Sequence, residues 1–248
     1  MPLTDLAHAL MLLTRFPVAR LAEPADAARC VWAFPVVGLI VNGIGGLVYA
    51  VAHWAGMPPL LAAAWALAAT MMMTGALHED GLADTADGFG GGATPARKMA
   101  IMRDSRIGTY GTLALVLSTG MRAAAIAALG RPAAVMAALV LAGVLGRAAI
   151  IPMLLAIAPA RTDGMGAALG RPHPAAAGAG IGLAIVAAFL CLPPKPAAAA
   201  VVSGFGAALV VAIQARRQIG GYTGDTLGAG EIAGECSVLT VLAVFLAA

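Results

Sequence analysis

Three aspartates spaced four and three residues apart, Asp80, Asp84 and Asp87, follow directly on His78 and Glu79. If the segment is helical, all three fall on one face, within reach of a single ligand. Carboxylates gathered this way repel one another unless a cation joins them. A donor set of oxygens, with no cysteine and one histidine, favours a hard ion, Mg²⁺ before Zn²⁺. Glu79 points to another face and reads as an ordinary polar residue. His78 is a candidate acid–base catalytic group, and a satisfied interfacial histidine is the competing reading.

Two further segments carry complementary chemistry. Arg103 and Arg106 stand three residues apart, a spacing that lets two guanidinium groups fork around phosphate oxygens. Asp104 between them is the second candidate catalytic group. Lys98 joins them as a phosphate-binding candidate, although Arg97 and Lys98 equally suit a juxtamembrane anchor for lipid headgroups. Gly108 and Gly111 lead into an apolar run, so free backbone N–H groups there can face an anion. The third segment, residues 220–231, is rich in glycine around Thr223 and Asp225. It lacks the GK[ST] ending and preceding strand of a P-loop. Gly, Thr and Asp together suit close approach to a phosphate or a metal-bound water. Arg161, Asp163 and Gly164 repeat the pattern weakly and read as a polar turn. Acids for Mg²⁺ beside arginines for phosphate point to phosphoryl transfer.

The elements that position these residues are set by hydropathy. The chain has 248 residues, 61% hydrophobic and only 11% charged, against roughly 25% charged in soluble domains. Mean hydropathy is +0.91. A soluble fold of this length could not hide so much apolar surface, so the reading is one integral membrane domain over residues 1–248, all-α, a polytopic bundle. Apolar runs predict six spans, over residues 31–52, 60–77, 110–129, 133–158, 175–192 and 197–213. A seventh, residues 236–248, is marginal unless residues 232–235 begin it. Leu3, Leu6, Leu10 and Leu13 recur at helical spacing opposite Thr4, Asp5 and His8, which predicts an N-terminal interfacial helix. Gly75, Gly143 and Gly146 are expected to serve close helix packing. Cys30, Cys191 and Cys236 have no metal-site spacing and read as packing residues.

Alternating the connecting segments across the bilayer puts eleven of the fifteen basic residues on one side, which the positive-inside rule makes cytoplasmic. All twelve acids fall there too, which no orientation rule demands. The net charge of +3 is therefore loop charge that orients helices, and no nucleic-acid partner is expected. Arg122 and Arg147 lie inside predicted spans, roughly 17 Å from the cytoplasmic end at helical rise. No acid falls inside any predicted span to pair with them, so each either faces a cavity or packs on backbone carbonyls.

The motifs HEDGLADTADGFGGG at 78–92, IMRDSRIGTYG at 101–111 and GGYTGDTLGAGEIAGE at 220–235 resemble the signatures of the cobalamin synthase family, the adenosylcobinamide-GDP ribazoletransferases. LLTRFPV at 12–18 and FPVVGLI at 34–40 also match, so the resemblance covers nearly the whole chain. It implies attack of α-ribazole, or its 5′-phosphate, on the corrinoid-side phosphorus of adenosylcobinamide-GDP. GMP leaves, and adenosylcobalamin or its 5′-phosphate forms. It further implies Mg²⁺ and a multi-pass place in the bacterial inner membrane with the active loops cytoplasmic. Carried onto this chain, it makes Asp80, Asp84 and Asp87 the metal acids and Arg103 and Arg106 the pyrophosphate binders, supported by Thr223 and Asp225. Two positions depart from the family pattern: Glu79 replaces a usually apolar residue, and Arg122 stands where a Lys is expected. The partners implied are the two substrates and the bilayer, and a homo-oligomer is compatible with the sequence. The rival class is a membrane transporter of cations or metabolites. Transporters place acids near the midplane within broken, repeated helices, whereas here the acids are predicted at the margin and no internal repeat is evident.

Overall fold

The computed structural model describes residues 2–18 and 27–247. Arg20, Glu23 and Asp26, which belong to the first predicted polar segment, lie outside them. The described residues form twelve helices: α1 (Pro2–Leu13), α2 (Ala27–Cys30), α3 (Phe34–Trp54), α4 (Pro59–Thr74), α5 (Leu77–Gly91), α6 (Pro95–Ile101), α7 (Thr109–Leu129), α8 (Pro132–Ala156), α9 (Gly164–Ala168), α10 (Pro174–Cys191), α11 (Pro194–Ile219) and α12 (Gly224–Leu246). A proline in the first turn starts α3, α4, α6, α8, α10 and α11. There its missing N–H costs nothing and its fixed φ suits a helix.

Among the described residues, six helical runs are long and apolar enough to cross a bilayer: Ala27–Trp54, α7, α8, α10, α11 and α12. α4 is a seventh if it counts with α5, from which it is bent by 90°. The polytopic helical bundle expected from hydropathy is what the chain adopts. α8 is the most enclosed span, with α3, α10, α11 and α12 packed around it. Small residues permit this: a Cβ on Gly38 would sit 2.1 Å from the Gly143 carbonyl oxygen. The outward faces carry exposed Leu39, Val116, Leu190 and Val202, which suit lipid.

Two expectations are corrected. The last span is not a 13-residue stub: α12 begins at Gly224, because Thr223 caps it and nothing in residues 224–246 breaks it, so Glu231 and Glu235 lie inside a membrane helix. Gly75 serves a turn rather than helix packing. With φ 67° it caps α4, and Ala76 follows at φ 56°, a left-handed pair that swings α5 away. The Arg15 side chain lies over Gly75 where a Cβ would be. The leucine stripe of α1 is graded in burial: Leu3 is exposed, Leu6 and Leu10 are half-buried and Leu13 is buried against the core, while Asp5 is buried too and accepts from Arg29 and from the Trp32 indole. Cys30 and Cys236 are buried as expected, whereas Cys191 is exposed.

Candidate active site

The turn at Gly75–Ala76 lays α5 across the ends of the bundle, so that its polar residues meet the start of α12. The contact is backbone to backbone: a Cβ on Gly81 would approach the Asp225 carbonyl oxygen to 2.7 Å. Thr223 fixes the start of α12 with a reciprocal cap. Its Oγ1 accepts from the Thr226 N–H at 3.3 Å, and the Thr223 N–H donates to Thr226 Oγ1 at 2.9 Å. Thr223 Oγ1 also donates to Asp225 Oδ2 at 3.1 Å. The loop after α8 is tied alongside by backbone bonds, Ala160 N–H to Tyr222 O at 2.8 Å and Tyr222 N–H to Ala158 O at 3.0 Å.

That tie brings a row of charges to the aspartates. Arg161 Nη2 lies 3.6 Å from Asp225 Oδ2 and its Nε 3.8 Å from Asp163 Oδ1. Arg103 Nη2 donates to both oxygens of Asp163 at 3.0 Å. Asp80, Asp225, Arg161 and His78 line a cavity of about 270 Å³ that also has an apolar wall. Asp84 is pushed up to about 7 by burial and by the carboxylates of Asp80, Asp225 and Asp87, against a smaller opposing pull from Arg161. Like charges held this close want a cation.

The remaining nominated residues have other engagements. Asp87 accepts from the Gly108 N–H at 2.7 Å through one oxygen and from the Gly111 N–H at 2.8 Å through the other. It therefore fastens the start of α7 to α5. The backbone N–H groups at 108 and 111 thus meet a protein carboxylate. Lys98 is buried and donates to the Phe89 carbonyl at 2.9 Å. Arg106 pairs with Asp104 at 2.8 Å in solvent, and Asp104 is held down to about 2 by hydrogen bonds from the Arg106 side chain and backbone. None of Lys98, Arg103, Asp104 and Arg106 lines the cavity, and Arg103 connects to it through Asp163 and then Arg161. Among the described residues, no three His, Cys, Asp or Glu side chains are grouped so as to hold a metal by themselves.

Beneath this surface lies a second, buried set of charges. Arg122 reaches Glu79 at 3.0 Å and Glu235 at 3.2 Å. Arg147 reaches Glu231 at 3.0 Å and Glu235 at 3.3 Å. Asn42 donates to Glu235 Oε1 at 2.9 Å. His78 joins the two layers. It is 3% exposed, its Nδ1 is 3.8 Å from Glu231 Oε2, and its Nε2 has no hydrogen-bond partner. The intramembrane arginines are thus paired, contrary to the sequence reading, and Glu79 is a partner of Arg122 rather than an ordinary polar residue. The signal was present: Glu231 and Glu235 are four apart, one helical turn, provided α12 starts before them.

A sequence profile of the family described as cobalamin-5-phosphate synthase matches residues 5–243. The chain belongs to that family. Curated relatives bear the name adenosylcobinamide-GDP ribazoletransferase. One from Bradyrhizobium diazoefficiens is 46% identical over 98% of this chain and 94% of its own length. One from Mesorhizobium japonicum is 42% identical over the same shares of the two chains, 98% and 94%. One from Rhizobium etli is 40% identical over 98% of this chain and 97% of its own length. No solved structure matches. The family assignment read from the three loop motifs is borne out, and the structure adds that those loops meet.

Proposed function

We propose that this chain is an adenosylcobinamide-GDP ribazoletransferase that requires Mg²⁺. A ribose hydroxyl of α-ribazole, or of its 5′-phosphate, attacks the corrinoid-side phosphorus of adenosylcobinamide-GDP. The phosphoanhydride bond breaks, and GMP departs. The observation that carries the reading is the meeting of Asp80, Asp225 and Arg161 at one cavity, with Asp84 beside the carboxylates and Asp163 and Arg103 continuing the row from Arg161, in a chain of this family. The residues fit a hard cation. Asp80 and Asp84, with Asp225 beside them, would hold Mg²⁺, whose charge would offset that of the pyrophosphate. Asp87 keeps α5 and α7 in place for them. Arg161 and Arg103 orient phosphate oxygens once their carboxylate partners give way to substrate. His78, which borders the cavity and whose buried Nε2 has no hydrogen-bond partner, is our assignment for the group that takes the proton of the attacking hydroxyl.

The polar face carrying this site is assigned to the cytoplasm and the bundle to the inner membrane, on the basic bias of its loops. A carrier is disfavoured. Acids do lie within a span, and each is paired with an arginine.

The deciding experiment uses the purified protein in lipid with adenosylcobinamide-GDP and α-ribazole phosphate. GMP and a cobalamin phosphate should appear with Mg²⁺ and not in chelator. No product with intact protein overturns the reading, and uptake into proteoliposomes without product would establish the carrier.

A further inference from the structure

The cavity beside the aspartates has a lining of two kinds. Asp80, His78, Arg161 and Asp225 are its charged and titratable side chains. Its apolar wall includes Leu13, Phe34, Ile150, Met165, Leu169 and Leu227, drawn from α1, α3, α8, α12 and the segment around α9. Leu13, Phe34, Ile150, Leu169 and Leu227 are buried, whereas Met165 is 47% exposed and stands at the rim. A pocket assembled from five parts of the chain, apolar but for four polar side chains, selects a ligand that is itself mostly apolar with one polar part.

Resting on the transferase reading, we infer that the apolar wall forms the subsite for the benzimidazole base of the acceptor nucleoside, with its ribose at the polar side chains. The substrates offer few groups that fit. A corrin macrocycle, four linked rings fringed with amide arms, exceeds a space of about 270 Å³. Guanine is the right size, but its edge carries donors and acceptors that this wall would leave without partners. Phosphates and sugars belong with the charged residues. The benzimidazole base is flat, bicyclic and without exocyclic hydrogen-bonding groups, so burying it leaves little polar unsatisfied. Its attached ribose then lies beside Asp80 and His78, on the side where Asp84 and Arg161 meet the phosphates. The corrinoid nucleotide approaches these residues from outside the cavity.

Met165→Trp tests the assignment, because a bulkier side chain at an exposed rim position narrows the mouth without disturbing the buried wall. In the full-length protein in phospholipid nanodiscs, KM for α-ribazole should rise at least tenfold, while KM for adenosylcobinamide-GDP stays within twofold. α-Ribazole alone should raise the melting temperature of the wild-type protein, and Met165→Trp should reduce that shift. A KM increase confined to the corrinoid nucleotide, or no change in either KM, overturns the assignment. Failure of the transferase reading is separately visible as absence of GMP from the wild-type protein. In that case an α-ribazole melting shift that Met165→Trp reduces still supports the subsite, and its absence overturns it.

Discussion

The protein uses arginine–carboxylate pairs in two settings that differ in solvent. On the polar face, Arg103–Asp163 and Arg106–Asp104 have side chains 39–86% exposed. Within the bundle, Arg122 and Arg147 with Glu79, Glu231 and Glu235 are at most 10% exposed. Water can replace either partner of an exposed pair at little cost. Nothing can replace a partner in the interior, where a lone charge must be desolvated in full. The exposed pairs are therefore free to exchange partners with a phosphate, and the buried pairs are committed to holding α5, α7, α8 and α12 in register beneath the site. Evolving a substrate-binding surface above a rigid ionic layer separates mobility from positioning.

The largest expected effect comes from breaking the buried layer on one side only. Arg122→Ala leaves Glu79 and Glu235 without their shared partner and should destabilise the bundle by about 3–5 kcal/mol. Thermal unfolding in lipid or detergent reads this, with low yield as the extreme outcome. Arg122→Lys keeps a cation but loses the fork that reaches two carboxylates. It should fold with a smaller drop in melting temperature. Equal stability of wild type and Arg122→Ala would mean that the layer is not what holds α5. Next comes Asp84→Asn, which removes the charge wanted by a cation while keeping shape. Turnover should fall about a hundredfold or more, with the melting temperature unchanged or raised, because a carboxylate repelled by Asp80, Asp225 and Asp87 is gone. Mg²⁺ should stabilise the wild type against heat and stabilise this variant less. Wild-type turnover in Asp84→Asn would take the cluster out of the mechanism.

Hydropathy made the spans legible because lipid imposes a length and a composition on each of them. It misplaced the start of α12. A window rewarding apolar residues stops at Glu235, whereas the helix is set by the Thr223 cap and tolerates two glutamates because arginines from α7 and α8 meet them. The aspartate spacing pointed to gathered carboxylates, and Asp84 does lie among Asp80, Asp225 and Asp87. It could not separate Asp87, whose partners are backbone amides twenty-one and twenty-four residues away. Arg161 was passed over because its importance arises from the Ala158–Tyr222 backbone tie, a contact between loops that leaves no periodic trace. The left-handed Ala76 is similarly invisible to propensity, which expects glycine there.

Two exposed positions sharpen the other half of the comparison. Arg103→Ala should leave the melting temperature unchanged, since Asp163 is 67% exposed and remains hydrated and near Arg161. KM for adenosylcobinamide-GDP should rise several-fold if the arginine trades Asp163 for a phosphate. A lowered melting temperature with unchanged KM would make the Arg103–Asp163 pair a structural clasp instead. The smallest effect is expected at Asp104. Its carboxylate is turned to solvent, engaged by the Arg106 side chain and N–H, and absent from the cavity lining. A group that must move a proton during attack has to stand within a hydrogen bond of the reacting hydroxyl, and Asp104 is taken up by Arg106 instead. Asp104→Ala should therefore retain turnover within twofold. Its remaining consequence is to free Arg106, which would show as a modest decrease in KM for the anionic substrate at low salt that disappears as ionic strength rises. A large loss of turnover would return Asp104 to the catalytic set and would require the segment between α6 and α7 to fold over the cavity when substrate binds.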